Sequence, residues 1–375
     1  MKLLLINYEY PPLGGGAGNA TLHIAQALAS AGHQVVVLTS GFGELPANSR
    51  EHGVGVIRLR VRRARIDRSN PREMAGYVVA AARALPGLLR AERPDAAIVF
   101  FSIPCGPLGL FARLLAGVPY AISLRGGDVP GTERRLAVAY RLLTPLRRLV
   151  MRRAVAVIAN SDGLKALSER ADPIDVAVIP NGVDAEFFVP AVARRHGPFT
   201  FLFVGRFQAQ KNLALLLEAM ARIRQEVKES FRAVFVGDGP ERVSLREKCT
   251  ALRLDDVVVW NGWCEKDELL RLYQSADCFV NPSLYEGMPN AVLEAMACGL
   301  PVIASNVAGN DAVVIPNGTG FLVPLESGEL ARAMATIMND RSLCRRFGSA
   351  ARDRAVRDYS WTDVARQYVE VLRRC

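Results

Sequence analysis

Short apolar runs alternate with longer stretches of helical periodicity along the whole chain. In the first half the runs fall at residues 3–7, 35–39, 54–59, 96–101, 120–124 and 155–159, and a helical pattern covers 19–31. The rhythm restarts after Val183. Runs at 200–204, 233–236, 257–260, 278–281 and 302–304 predict strands, and segments near 212–227, 240–253, 266–275, 290–298 and 328–339 predict helices. Strands alternating with helices build βαβ units and a mostly parallel sheet, because parallel neighbours need a crossover connection. The pattern predicts two doubly wound α/β domains. Ligands of such sheets bind beyond the carboxyl ends of the strands.

Composition agrees with this class. A chain of 375 residues suits two domains better than one, and each half can bury its own core. No stretch reaches the ~20 apolar residues that a membrane-spanning helix needs. The start, Met1-Lys2 and four apolar residues before Asn7, Glu9 and two prolines, reads as a first strand rather than a signal peptide. Seven cysteines stand at 105, 249, 264, 278, 298, 344 and 375 with no CxxC pair. That scatter speaks against a disulfide framework or a zinc site and for a reducing cytosol.

The net charge of +10 is uneven. Residues 1–190 hold 23 Lys/Arg against 15 Asp/Glu, whereas 191–375 hold 24 against 22. The excess clusters in Arg58, Arg60, Arg62, Arg63, Arg65 and Arg68, and again in Arg134, Arg135, Arg141, Arg147, Arg148, Arg152 and Arg153. A basic face of this kind attracts polyanions, and an anionic membrane is the partner taken here rather than nucleic acid. An arginine-rich solvated surface is the plain alternative.

Candidate chemistry begins at the glycine run, Gly14, Gly15, Gly16 and Gly18, between the first strand and the first helix. Backbone N–H groups and a helix dipole favour phosphate there. The spacing is not a dinucleotide fingerprint. The second strand also ends Thr39-Ser40-Gly41 without an acid for an adenosine ribose, which disfavours a nicotinamide enzyme. A tight turn without a ligand stays open as a reading.

In the second half Gly205-Arg206 ends a strand and Lys211-Asn212 opens the next helix. Arg offers a planar fork and Lys a point charge, which suits a diphosphate; a pair of surface cations is the alternative. The run from Pro282 to Gly299 holds Glu286 in a loop and Glu294 among Val292, Leu293, Ala295 and Met296. A glutamate on an apolar helix face is costly to bury unless something hydrogen-bonds it. Sugar and ribose hydroxyls are natural donors.

Together Glu286-x7-Glu294, the Gly205-Arg206 and Lys211-Asn212 pair, Ile179-Pro180-Asn181-Gly182-Val183-Asp184 and the glycine loop resemble glycosyltransferase family 4 over essentially the whole chain. The resemblance is to members that build bacterial surface polysaccharides. It implies the GT-B fold, two Rossmann-like doubly wound parallel-sheet domains facing across a cleft. It also implies a nucleotide-diphosphate sugar as donor (UDP-sugar favoured), a glycan or lipid-linked glycan as acceptor, retention of configuration, and neither metal nor cofactor. The expected domains are 1–185 on the acceptor side, a linker at 186–199, and 200–356 on the donor side. The segment 357–375 is expected to return to the first domain, with Trp361 at the crossing.

Carried over by position, Arg206 and Lys211 hold the diphosphate, Glu286 the donor sugar and Glu294 the ribose. Gly15 and Gly16 offer N–H groups to the phosphates, and Gly287, Met288, Asn290 and Ala291 complete the donor set. Arg125 stands where many members have histidine. It joins Glu286, Arg206, Lys211 and Asp128 in the expected catalytic set, although an Arg125–Asp128 ion pair shaping the loop is the alternative. The expected location is the cytoplasm, peripherally at the inner membrane through the 58–68 run. Rival readings are a non-catalytic partner subunit and a nucleotide-sugar-binding protein of other activity. A phosphorylase-like enzyme lacks an argument for a pyridoxal lysine, and an epimerase would need a Tyr-x3-Lys pair.

Overall fold

The chain enters as β1 (Lys2–Ile6), crosses by α1 (Gly16–Ser30) and returns beside it as β2 (Gln34–Ser40). There follow β3 (Asn48–Glu51), β4 (Val54–Leu59), α2 (Pro71–Glu92), β5 (Ala96–Phe100), α3 (Gly106–Ala116), β6 (Tyr120–Ser123), α4 (Ala137–Arg153), β7 (Ala156–Ala159), α5 (Asp162–Ala171) and β8 (Ala177–Val178). In the computed structural model these strands form one sheet, ordered β3-β4-β2-β1-β5-β6-β7-β8. Every pair is parallel except β3–β4. Strand order reverses between β1 and β5, which makes the loops after those strands the switch point of this sheet. β5 reads as an unbroken apolar run, and β1 and β6 as runs polar only at one end, at Lys2 and Ser123, because helices cover both faces.

Described here are all residues except 67–68, 132–136, 193–196, 228 and 374–375, and the side chains of 137–140. Arg68, Arg134, Arg135, Arg194, Arg195 and His196, singled out from the sequence, lie outside the described residues.

The second sheet is built from β9 (Phe199–Val204), α6 (Leu213–Glu226), β10 (Phe231–Val236), α7 (Arg242–Ala251), β11 (Val258–Asn261), α8 (Lys266–Ser275), β12 (Cys278–Asn281), α9 (Asn290–Ala297), β13 (Val302–Ser305), α10 (Asn310–Val313) and β14 (Gly320–Val323). α11 (Ser327–Asn339) and α12 (Arg341–Asp358) complete it. All its pairs are parallel, in the order β11-β10-β9-β12-β13-β14, so its switch point lies between β9 and β12.

The chain divides into Met1–Gly182 with Trp361–Cys375, and Val183–Ser360. Each unit is described by itself. α13 (Trp361–Arg373) packs on α1 and β6 of the first unit. Trp361 stacks on His23 with centroids 5.1 Å apart, and a Cβ at Gly182 would fall 2.6 Å from the indole.

Two expected boundaries change. α1 starts at Gly16 rather than at 19, so the glycine run itself becomes the first turn. Within the expected linker at 186–199, Phe188 is buried against Tyr273 in the second unit. Arg352 also donates to the carbonyls of Ala185 and Phe188, fixing that stretch to α12.

Candidate active site

In the second unit the loops after β9 and β12 meet at the switch point. Leu284 N–H donates to Gln210 O, and Gln210 Nε2 donates to Tyr285 O, both at 2.8 Å. These bonds hold the two loops in register. A single 3-10 turn, Ala209–Lys211, then aims the lysine at the β12 loop. Its Nζ lies 2.6 Å from Glu286 Oε1, with the side chains 18% and 6% exposed. Ser283 Oγ donates to the same oxygen at 2.6 Å, and Asn281 Nδ2 approaches it at 3.4 Å. Among the described residues these three donors converge on Oε1.

The loop's backing is equally specific. Gly309 has φ +89°, and a Cβ there would fall 2.7 Å from Glu286 O. Only glycine allows that conformation and approach. Asn310, fully buried, accepts from Asn281 Nδ2 at 2.9 Å and donates to Ser305 O at 3.0 Å. The carboxylate of Glu286 is thus held by a polar network whose members are themselves bonded, which fixes its position.

Glu294 sits in the second turn of α9, facing α8. Tyr273 OH donates to its Oε2 at 2.8 Å. Burial pushes the carboxyl up to about 7, against the tyrosine bond and the Lys266 charge, which pull it down. The carboxylate and carboxylic acid are both accessible near neutrality, so a ligand with hydroxyl donors selects the charged form. Asn290 and Ala291 open α9, where the N–H groups of Val292 and Leu293 both donate to the Pro289 carbonyl. Met288 is 8% exposed and joins the core under this loop, with Gly287 before it. Arg206 follows β9, with its carbonyl accepting from Gln208 N–H at 2.9 Å.

The first unit has its own cluster in the loops after β5 and β6. Asp128, 4% exposed, accepts from the backbone N–H of Ser102 at 2.6 Å and of Arg125 at 3.0 Å. It staples the ends of β5 and β6. The alternative of an Arg125–Asp128 side-chain ion pair is not what the structure holds. The guanidinium instead donates to Asn181 Oδ1 at 2.6 Å and to Tyr368 OH at 3.3 Å, and lies 5.0 Å from the Phe100 ring centroid. Burial lowers the Arg125 pKa and raises that of Asp128.

Gly15 and Gly16 stand at the start of α1, but the Gly15 N–H already bonds the Glu9 carboxylate. Burial raises the Glu9 pKa, while Arg63 and that bond lower it. Gly14 N–H donates to Ile66 O at 2.9 Å, so the 63–66 stretch covers the loop. Nothing in the spacing gave Glu9, Tyr273 or Tyr368 a role at the site, and Asn181 stood only as part of the Ile179–Asp184 motif. For Glu9 the legible signal was an acid between a strand and two prolines.

The arginine run at 58–68 is not one solvated face. Arg58 is 5% exposed and pairs with Glu51 at 2.7 Å on the β3–β4 hairpin. Arg63 donates to the carbonyls of Tyr8, Arg65 and Ile66. Arg60, Arg62 and Arg65 are exposed. In the second cluster Arg147 is likewise buried, paired with Asp172 at 2.6 Å.

Comparison with known proteins accounts for both halves. The family model for glycosyl transferases group 1 matches residues 184–354, and the glycosyl transferase 4-like domain matches 15–182. The Escherichia coli UDP-Gal:alpha-D-GlcNAc-diphosphoundecaprenol alpha-1,3-galactosyltransferase is 32% identical over 273 residues, 68% of this chain and 69% of that one. A glycogen synthase from Mycobacterium tuberculosis is 28% identical over 99% of this chain and 94% of its own. Among solved structures, the sucrose-phosphate synthase of Thermosynechococcus elongatus superposes with TM-score 0.86 at 24% identity, covering 100% of this chain and 98% of that one. The two Rossmann-like sheets are those of the GT-B fold. With one family model on each unit and the acid and lysine pair at the second switch point, the chain belongs to the group 1, family 4-like glycosyltransferases.

Proposed function

We propose that the protein transfers a hexosyl group from a UDP-sugar to a glycan or lipid-linked glycan, with retention of configuration, without a metal, in the cytoplasm. The observation that carries this reading is the Lys211–Glu286 pair, set at the switch point of the second sheet, with Glu294 in the helix that follows the Glu286 loop. A diphosphate there takes over the Lys211 ammonium, with Arg206 adding a planar fork. Glu286 then turns to sugar hydroxyls, and Glu294 accepts from the ribose. Negative charge grows on the leaving diphosphate, and two preorganised cations stabilise it in place of a metal. The UDP preference draws on the galactosyltransferase relative, whose name specifies that donor.

In the first unit the Arg125–Asp128 loop supplies shape and a fixed cation rather than an imidazole. Asn181 and Tyr368 orient the guanidinium, and Asp128 fixes the backbone that carries it. The test is a panel of UDP-, GDP- and ADP-sugars with a lipid-diphosphate glycan acceptor and chelator present. Acceptor-dependent release of UDP with an α-linked product supports the reading. Release requiring added metal, or an inverted anomer by NMR, overturns it. Nucleotide binding without any transfer would favour the non-catalytic partner.

A further inference from the structure

α4 carries leucines on its outer face. Leu142 is 76% exposed, Leu149 45% and Leu146 39%. Spacings of four and three residues place them in one stripe along the helix. The opposite side, with Arg147, Val150 and Met151, is buried. The helix therefore keeps an apolar stripe on its outward face besides its buried side. Arg141, Arg152 and Arg153 are exposed beside the outer stripe, and residues 137–153 contain no Asp or Glu. α3 packs along α4 and adds Leu114, 71% exposed. Arg113 donates to the Arg153 carbonyl, joining the ends of the two helices.

We propose that this α3–α4 face docks on an anionic lipid bilayer. Leu142, Leu146 and Leu149 enter the headgroup–acyl boundary, and Arg141, Arg152 and Arg153 meet the lipid phosphates. A helix with an apolar stripe, flanking arginines and no acid matches that interface in both charge and polarity. A second copy of the chain is a poorer match. A two-fold contact through this face sets arginine against arginine, with no carboxylate on the helix to answer them. The inference is independent of the donor assignment, and it places lipid contact on α4 rather than on the 58–68 run.

Flotation of the full chain with vesicles tests it. Binding is expected to vesicles of phosphatidylcholine with phosphatidylglycerol, and to be weak with phosphatidylcholine alone. Changing Leu142, Leu146 and Leu149 to Gln lowers partition by about tenfold or more, since each leucine removed from water contributes appreciably. Changing Arg141, Arg152 and Arg153 to Ser lowers it about fivefold per residue at low salt. Leu142→Gln alone guards against a folding defect in the triple variant. Changing Arg60, Arg62 and Arg65 to Ser leaves partition unaltered. Equal binding to neutral and anionic vesicles overturns the proposal, as does wild-type partition of the leucine variants. So does a wild-type dimer in sedimentation equilibrium that the leucine changes dissociate without any lipid binding.

Discussion

Lys211 and Glu286, 75 residues apart in sequence, close an ion pair of 2.6 Å at the edge of the second sheet. Neither side chain is solvated enough for the pair to be a surface bridge, so each depends on the other or on a ligand.

That dependence can be measured. Lys211→Ala leaves a nearly buried carboxylate without its cation and is expected to cost ~3 kcal/mol of stability. Adding Glu286→Gln to it recovers much of that loss. In binding, Lys211→Ala weakens UDP by roughly 10- to 100-fold, the range for one charged hydrogen bond. Glu286→Gln is expected to keep UDP affinity and lower kcat by about 100-fold, because its ligand is the transferring sugar. Calorimetry with UDP and turnover with the full donor separate these effects. Unchanged UDP affinity in Lys211→Ala would remove the lysine from the donor site.

Glu294 predicts a pH dependence of definite sign. Its folded pKa of about 7 lies above the ordinary 4.5, so the native state holds the extra proton between those values. This group's contribution to stability is present below about pH 4.5, falls as pH rises to about 7, and is level beyond. The size is on the order of 3 kcal/mol. Chemical denaturation of Glu294→Gln should lack this component. A ribose hydroxyl selects the carboxylate, so UDP binding at pH 6 releases a proton in the wild type. Titration calorimetry in two buffers of different ionisation heat reads that proton, and Glu294→Gln should not release it.

The sheet rhythm was legible because β5 is apolar at every position and β1 and β12 are polar only at one end, at Lys2 and Asn281. Other elements left little trace. β3 and β8 are short edge strands of four and two residues. α12 buries Cys344, Phe347, Gly348, Ala351 and Ala355, small residues for the most part in an arginine-rich stretch, so its stripe is faint. At the site, Glu286, Glu294 and Lys211 stood out by type and position. That Lys211 bonds Glu286 depends on β9 and β12 being neighbours, which no local spacing states. Arg125 and Asp128 are three apart, yet the turn's backbone N–H claims the carboxylate. Arg58 looked like one of six surface cations until the antiparallel β3–β4 pairing brought Glu51 to it.

Arg58 should therefore behave unlike its neighbours. Arg58→Ser removes a buried cation bonded to Ser49 and Glu51 and is expected to cost ~3 kcal/mol. Arg60→Ser, Arg62→Ser and Arg65→Ser should each stay within about 0.5 kcal/mol of wild type, as exposed substitutions do. Thermal melts of the four variants decide it. Equal Tm values across the set would mean that the Arg58 pair contributes nothing to the fold.

The glycine loop offers the last test, through Gly14 and Glu9. Gly14 has φ +90°, and a Cβ built on it falls 2.6 Å from Glu9 Oε2 and 2.7 Å from Glu9 Cβ. Gly14→Ala therefore carries two separable penalties, a left-handed backbone that costs roughly 1–2 kcal/mol and a clash with a held carboxylate. Glu9→Ala removes the carboxylate's share of the clash but leaves the Cβ contact and the backbone term. It also frees the Gly15 N–H at the start of α1. In a double-mutant cycle the combined variant should be more stable than the sum of the single losses predicts, by about 1 kcal/mol or more, since contacting residues couple at that level. If the two changes add without coupling, the loop has relaxed away from Glu9, and the carboxylate is not what shapes it. UDP affinity measured on the same variants adds a second axis. Should the α1 terminus take a phosphate oxygen, Glu9→Ala removes a competing negative charge and UDP binds more tightly. If Glu9→Ala leaves UDP affinity unchanged while the stability coupling holds, the Glu9–Gly15 contact serves the architecture of the first unit alone.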